Sequence, residues 1–225
     1  MDLAGMILMG LVDGLNICSL SLLALLLSLM YNAGAQRRTI ILLGFVYIVS
    51  VFASYFLAGL GILAFSVLIP GVSHFFTEVS VAIMLFIGTV NILNYFQPGF
   101  MTLSLPMTLG KTAIKYMKIL TLPSLFVTGL LVGLHNFPCA CTGGIYLSFI
   151  SLIADSPFHV GYLVLYNFVF VLPLVTILYV CSSKPLTVKY RKWQMQNTER
   201  MKLVLGTSMV LVSLLMILFI SSGLV

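Results

Sequence analysis

Charge is what this chain has least of. Asp, Glu, Lys and Arg together make up 7% of its 225 residues, and only five of them are acidic, too few to solvate the surface of an ordinary soluble domain. The four Cys include no Cys-x-x-Cys, so the motif typical of a quinone-linked disulfide oxidase is missing. No ring of carboxylates lines a metal path, and the twelve Met read as lipid-facing apolar side chains rather than soft ligands. Met6-x-x-Met9 is their only tight pair outside the cysteine motifs. No basic stretch precedes the first apolar run, which starts almost at Met1, so no cleavable signal is expected.

What is present is hydrophobic. Apolar residues reach 61% and the mean hydropathy is +1.18, the composition of an integral membrane protein. Apolar runs near the roughly 20 residues that span a bilayer lie at about 4–30, 39–69, 75–96, 119–153, 158–182 and 202–223. The fourth is interrupted by Pro123, Pro138 and Gly143-Gly144 and reads as one broken helix with its entry. The expectation is an all-α membrane protein of six transmembrane helices. Residues 1–96 would form a first three-helix unit and 119–225 a second. The connecting segment 97–118 carries Lys111, Lys115 and Lys118 on one helical face, the pattern of an interfacial helix.

The eleven basic residues test that count. Arg37 and Arg38 fall between spans one and two, the three lysines between three and four, and Lys184, Lys189, Arg191, Lys192, Arg200 and Lys202 between five and six. Cytoplasmic loops collect Lys and Arg, so both termini are expected outside the cytoplasm, in a multi-pass protein of the cytoplasmic membrane. The net charge of +6 then belongs to one membrane face, where anionic headgroups are its partner; no nucleic acid is implied. Three spans per half makes the second half enter the membrane from the opposite side, the inverted-topology repeat of many transporters.

Two segments look like copies of one device. Gly10-Leu11-Val12-Asp13-Gly14-Leu15-Asn16-Ile17-Cys18 and Gly129-Leu130-Leu131-Val132-Gly133-Leu134-His135-Asn136-Phe137-Pro138-Cys139 both carry Gly-Leu-x-x-Gly-Leu, then Asn, then Cys. A Cys in an apolar helix is usually a small inert hydrophobe. The helix-breaking context sets Cys18 and Cys139 apart. Pro138 suits the first position of a half-helix, which would put Cys139 where unpaired N–H groups and the dipole favour a thiolate. Gly14 and Asn16, the latter as cap, would serve Cys18 in the same way. Thiols exchange electrons reversibly without a bound cofactor, so a membrane thiol pair points to electron transfer with neither cofactor nor metal.

Several residues stand beside that pair. Cys139-Ala140-Cys141 places two thiols in one motif, and either could pair with Cys18. Asp13, about ten residues into the first span, costs roughly 2.5–3.5 kcal/mol on insertion scales; it either handles protons beside Cys18 or holds helices together as a hydrogen-bonded acid. His135, four residues before Cys139, suits packing or capping as well as acid–base work. The Gly10/Gly14 and Gly129/Gly133 pairs are small-xxx-small contacts. Cys181, with no breaker or charge close by, reads as structural.

At Asp13-Gly14-Leu15-Asn16-Ile17-Cys18, Phe137-Pro138-Cys139 with Thr142-Gly143-Gly144-Ile145-Tyr146, and Tyr166-Asn167-Phe168-Val169-Phe170-Val171-Leu172-Pro173, the chain resembles the CcdA family of membrane thiol-disulfide electron transporters, a fold shared with the transmembrane core of DsbD. The resemblance implies that Cys18 and Cys139 form a redox-active disulfide. It further implies reduction by a cytoplasmic thioredoxin and transfer to an extracytoplasmic thioredoxin-like protein, commonly for cytochrome c biogenesis. Two departures stand out: Ile17 occupies the place of the family's Pro before the first Cys, and Ala140-Cys141 follows the second. A small-solute or soft-metal transporter is the alternative, since it would also use inverted repeats and broken helices.

Overall fold

The computed structural model describes residues 3–15, 17–68, 72–97, 108–136, 143–154, 156–182 and 184–221. Among them there are nine helices and no strand: α1 (Leu3–Gly14), α2 (Ile17–Asn32), α3 (Arg37–Leu68), α4 (Val72–Phe96), α5 (Thr108–Met117), α6 (Leu122–Asn136), α7 (Gly143–Ile153), α8 (His159–Val180) and α9 (Lys184–Ser221). Within these, Arg37–Ser66, Glu78–Phe96, His159–Val180 and Met195–Leu218 are long and apolar enough to cross a bilayer. A fifth span results if α1 and α2 are one helix bent by 44°. Apolar side chains line the outside, as with Leu211, Leu214, Leu215 and Leu218 along α9. Left in water they would form a large exposed patch; in hydrocarbon they cost nothing. The architecture is that of a multi-pass membrane protein.

Local sequence explains where helices stop. The last helical bond of α1 runs from the Leu15 N–H to the Leu11 carbonyl at 3.0 Å, and α2 begins at Ile17. The first helix is therefore broken although Ile17, not Pro, precedes Cys18. At its other end α2 closes in a Schellman motif: Gly34 takes φ 74°, its N–H donates to Tyr31 O, and the Ala35 N–H donates to Met30 O, both at 3.0 Å. Glycine makes that left-handed φ inexpensive. Four residues then suffice to start α3.

Within the connecting segment 97–118 the described part is helix α5. Helix α5 packs on α6, and the Ser124 hydroxyl of α6 donates to the Tyr116 carbonyl of α5. The basic segment between the last two apolar runs is the first half of α9, continuous with the apolar part of that helix. Lys, Arg, Gln and Met are good helix formers, and this stretch is rich in them.

Close backbone approach at glycines holds the helices together. Gly10 and Gly14 press α1 against α8: a Cβ on Gly10 would lie 3.1 Å from Val169 and 3.3 Å from the Tyr166 carbonyl, and one on Gly14 would meet the Phe170 carbonyl and lie 3.0 Å from Pro173. Gly129 and Gly133, each 119 residues further on, press α6 against α3 in the same manner, the first on Ser50 and the Tyr47 carbonyl, the second on Ser54 and the Val51 carbonyl. All four of these α3 residues lie 119 positions before their α8 counterparts. Between α3 and α8 the rule repeats, with Leu178 on Gly44 and Leu163 on Gly59. Across α4 and α9, Gly88 and Gly206 face each other.

That last contact yields a test. A Cβ on Gly88 would stand 2.9 Å from the Gly206 carbonyl, and one on Gly206 2.8 Å from the Gly88 carbonyl, so neither helix has room without separating. Gly88→Ala and Gly206→Ala are each expected to destabilise the protein by about 1–3 kcal/mol, the usual cost of overpacking. Gly61→Ala, with nothing within 4 Å of the new methyl, is expected to be neutral or slightly stabilising. Denaturation of the purified protein in mild detergent measures all three; equal midpoints would refute the close packing.

Candidate functional site in the bundle centre

Every helix that brings chemistry to the centre has a polar group where an apolar one would cost less. Asp13, next to the close-packed Gly14 on α1, is 1% exposed. Its Oδ2 accepts a 3.0 Å hydrogen bond from the Tyr166 hydroxyl of α8. Its Oδ1 has no hydrogen-bond partner among the described residues. A carboxyl group with half its acceptors unused, at this depth, retains a large part of its desolvation cost.

Around the pair lies an aromatic cluster drawn from α3, α7 and α8. Tyr166 stacks on Phe149 with ring centroids 4.1 Å apart, Tyr55 stacks on Phe170 at 4.4 Å, and Tyr146 meets Tyr55 edge-on at 5.4 Å. The Tyr146 hydroxyl donates to the Tyr55 carbonyl at 2.7 Å. Gly59 makes that seat possible, since a methyl there would collide with the Tyr146 hydroxyl. Asn167 Nδ2 donates to the Leu163 carbonyl at 2.8 Å and approaches the Tyr146 hydroxyl at 3.4 Å, while its Oδ1 is unpartnered among the described residues. Asp13, Tyr166, Tyr146 and Asn167 thus form a nearly dry patch of polar groups that a proton, a water or a rearranging thiol could engage.

At the positions 119 residues away no carboxyl is present. Val132 stands 119 residues after Asp13, and Tyr47 119 before Tyr166. Val132 and Tyr47 are fully buried, and the Tyr47 hydroxyl has no partner among the described residues.

The sequence-derived candidates divide as follows. Asp13 is central. Cys18 falls in the first turn of α2, just past the bend, and His135 in the last turn of α6; the side chains of both lie outside the described residues. Asn16, Pro138, Cys139 and Cys141 lie outside them altogether, as does the half-helix expected to start at Pro138. Cys181, the free cysteine among the described residues, is buried at the end of α8, where its N–H donates to the Ile177 carbonyl at 2.7 Å. Burial pushes its thiol pKa up, away from reactivity, in keeping with a structural role.

Tyr166, Asn167 and Tyr146 had no role assigned from sequence. The available signal was that hydroxyl and amide groups inside apolar spans need partners, but which partner depends on packing. No protein-family model, curated protein or solved structure matches the chain.

The two tyrosines related by 119 positions are expected to respond oppositely to loss of the hydroxyl. Tyr166→Phe strands Asp13 without its donor and should destabilise by about 1–3 kcal/mol. Tyr47→Phe removes a buried hydroxyl that has no partner and should be neutral or stabilising. Thermal unfolding of the two variants in detergent checks this, and a double-mutant cycle with Asp13→Asn assigns the Tyr166 effect to the pair.

Proposed function

We propose that the chain carries reducing equivalents across a membrane by thiol–disulfide exchange, as a relative of the CcdA family, with Cys18 and Cys139 as the redox pair. The observation that carries this reading is the matched packing of the two glycine pairs that precede these cysteines. Gly10 and Gly14 contact α8 as Gly129 and Gly133 contact α3, with residue numbers 119 apart on both sides. Such matching is what two three-helix repeats of opposite topology would produce. On this reading α1 with α2 and α6 with α7 are the broken first spans of the two repeats, giving six spans in all. Cys18, in the first turn after the 44° bend, would have orphan backbone N–H groups beside it that favour the thiolate.

The chemistry proceeds in balanced steps. A cytoplasmic thioredoxin thiolate attacks the Cys18–Cys139 disulfide and forms a mixed disulfide. Its second thiol displaces the membrane cysteine, leaving oxidised thioredoxin and two reduced membrane thiols. Those thiols then attack the disulfide of an extracytoplasmic thioredoxin-like protein, so two electrons move outward, from the reducing to the oxidising compartment. Presentation to each side in turn requires one part of the bundle to move against another. On this reading Asp13, five residues before Cys18 in the chain, would take and return the proton of the first-repeat thiol. Cytochrome c biogenesis is the proposed use of the exported electrons.

Cys18→Ser is expected to abolish reduction of an outside thioredoxin-like substrate in vesicles supplied with thioredoxin, Cys139→Ser likewise, and Cys141→Ser only to slow it. Cys181→Ser should retain nearly the full rate. Peptide mapping of the oxidised protein should recover a Cys18–Cys139 link; a dominant Cys18–Cys141 link would move the role to Cys141, and wild-type transfer in Cys18→Ser would end the proposal. Solute uptake that persists in Cys18→Ser but stops in Asp13→Asn would instead favour a small-solute or metal transporter built around the buried carboxyl.

Topology offers a separate check. The six-span reading puts Met1 and Val225 on the extracytoplasmic side and the basic ends on the cytoplasmic side. Tags at either terminus should be cleaved by a protease added outside intact cells, and Lys115→Cys should be labelled only from the cytoplasm.

A further inference from the structure

The end of the bundle that gathers α2 and α9 contains a cleft of about 420 Å³, a volume typical of small-molecule sites. One wall is the last turn of α2, with Ser28 and Asn32. The other is a single face of α9, where Val188, Arg191, Lys192 and Met195 follow at spacings of three, one and three residues and so line up along one side of a helix. No carboxylate lines the cleft among the described residues, and the nearby Glu199 is held by Lys202 at 2.8 Å.

The two cations are differently prepared. Arg191 Nη1 donates to the Ser28 hydroxyl at 2.6 Å, which fixes the guanidinium across the cleft and leaves other N–H donors of its fork without a partner among the described residues. Lys192 is exposed with no side-chain partner among the described residues, so its charge is available to a ligand. Both sit just before Met195, where the apolar span of α9 begins. Cations at the end of a membrane helix favour the headgroup level, and Val188 and Met195, 61% and 72% exposed, supply apolar contact beside them. Trp193 and Tyr190 stack next to it at 6.2 Å, the amphipathic rings that favour this depth.

We propose that this cleft is a specific site for one anionic phospholipid, its phosphate held by Arg191 and Lys192 and the start of an acyl chain lying along Val188 and Met195. A phosphate is the anion that a fixed guanidinium fork beside an ammonium group suits best. Free inorganic phosphate would satisfy the cations alone. The exposed apolar side chains at the mouth and the start of the span beside them favour a phosphate that carries its own hydrocarbon. The site is independent of the thiol chemistry.

The chain's only Trp reports on it directly. Full-length protein in vesicles of brominated phosphatidylglycerol or brominated phosphatidylcholine should show Trp193 quenching with an apparent preference for the anionic lipid of about 10- to 30-fold, from two basic residues at the surface. Lys192→Gln should reduce that preference about 5-fold, and Arg191→Gln with Lys192→Gln should remove most of it. Lys115→Gln with Lys118→Gln, which lowers the net charge equally away from the cleft, should leave it intact. An unchanged preference in Lys192→Gln, or an equal loss in the Lys115/Lys118 control, would reduce the effect to diffuse attraction and overturn the site. Loss of the wild-type preference on adding millimolar inorganic phosphate would assign the cations to a free anion and overturn the lipid. Should the Arg191 variant fail to fold, the exposed Lys192 position decides alone.

Discussion

Backbone-to-backbone contact at glycine is the constraint on which this bundle rests. Between helices in a bilayer, apolar burial supplies little drive, because lipid tails solvate Leu and Phe as well as another helix does. What remains is close van der Waals packing. It is available only where a Cβ is missing, as at Gly10, Gly14, Gly129 and Gly133 on the paired faces and at Gly88 and Gly206 between α4 and α9. Helices α1 and α6, which carry two of these pairs near their C-terminal ends, are held there against α8 and α3. Just beyond Gly14 the helix is interrupted, α1 ending and α2 starting at Ile17 with a bend of 44° between them.

The α1–α8 and α6–α3 crossings share close packing at positions 119 apart but differ in polarity. Asp13 meets Tyr166 at the first, whereas the numbers 119 away hold Val132 and Tyr47. The close-packed backbone constrains residue size, while side chains that do not touch the crossing are free to differ in chemistry. Tyr146, seated over Gly59 and bonded to the Tyr55 carbonyl, extends the polar patch from α8 to α7 and α3.

At the basic end, the long helix α9 carries six cations in its first half, and tertiary structure treats them unequally. Lys202 is paired with Glu199, Arg191 is tied to Ser28, and Arg37 from α3 donates to the Ser182 hydroxyl at 2.9 Å while its guanidinium lies over the Tyr179 ring. Burial pushes the Tyr190 hydroxyl up to about 12, and that hydroxyl has no hydrogen-bond partner among the described residues. The basic residues thus also supply local structure at that end of the bundle.

Hydropathy and composition by themselves determined the class of this protein, because the free energy of placing an apolar run in hydrocarbon depends on its residues one at a time and not on their neighbours. For the same reason the glycine pairs and the cost of Asp13 were legible in the chain. Helix continuity was not: residues 184–221 form one helix where the charges suggested a loop, since good helix formers extend a helix that is already nucleated and packed. The first helix breaks with Ile17 where a Pro was absent, because the bend follows from where α1 is held against α8. Only tertiary structure could decide that Asp13 meets Tyr166, 153 residues away, or that Arg191 and Ser28 close a cleft. Partners across helices are chosen by crossing geometry, and a linear sequence states the size of each side chain without stating which one it will face.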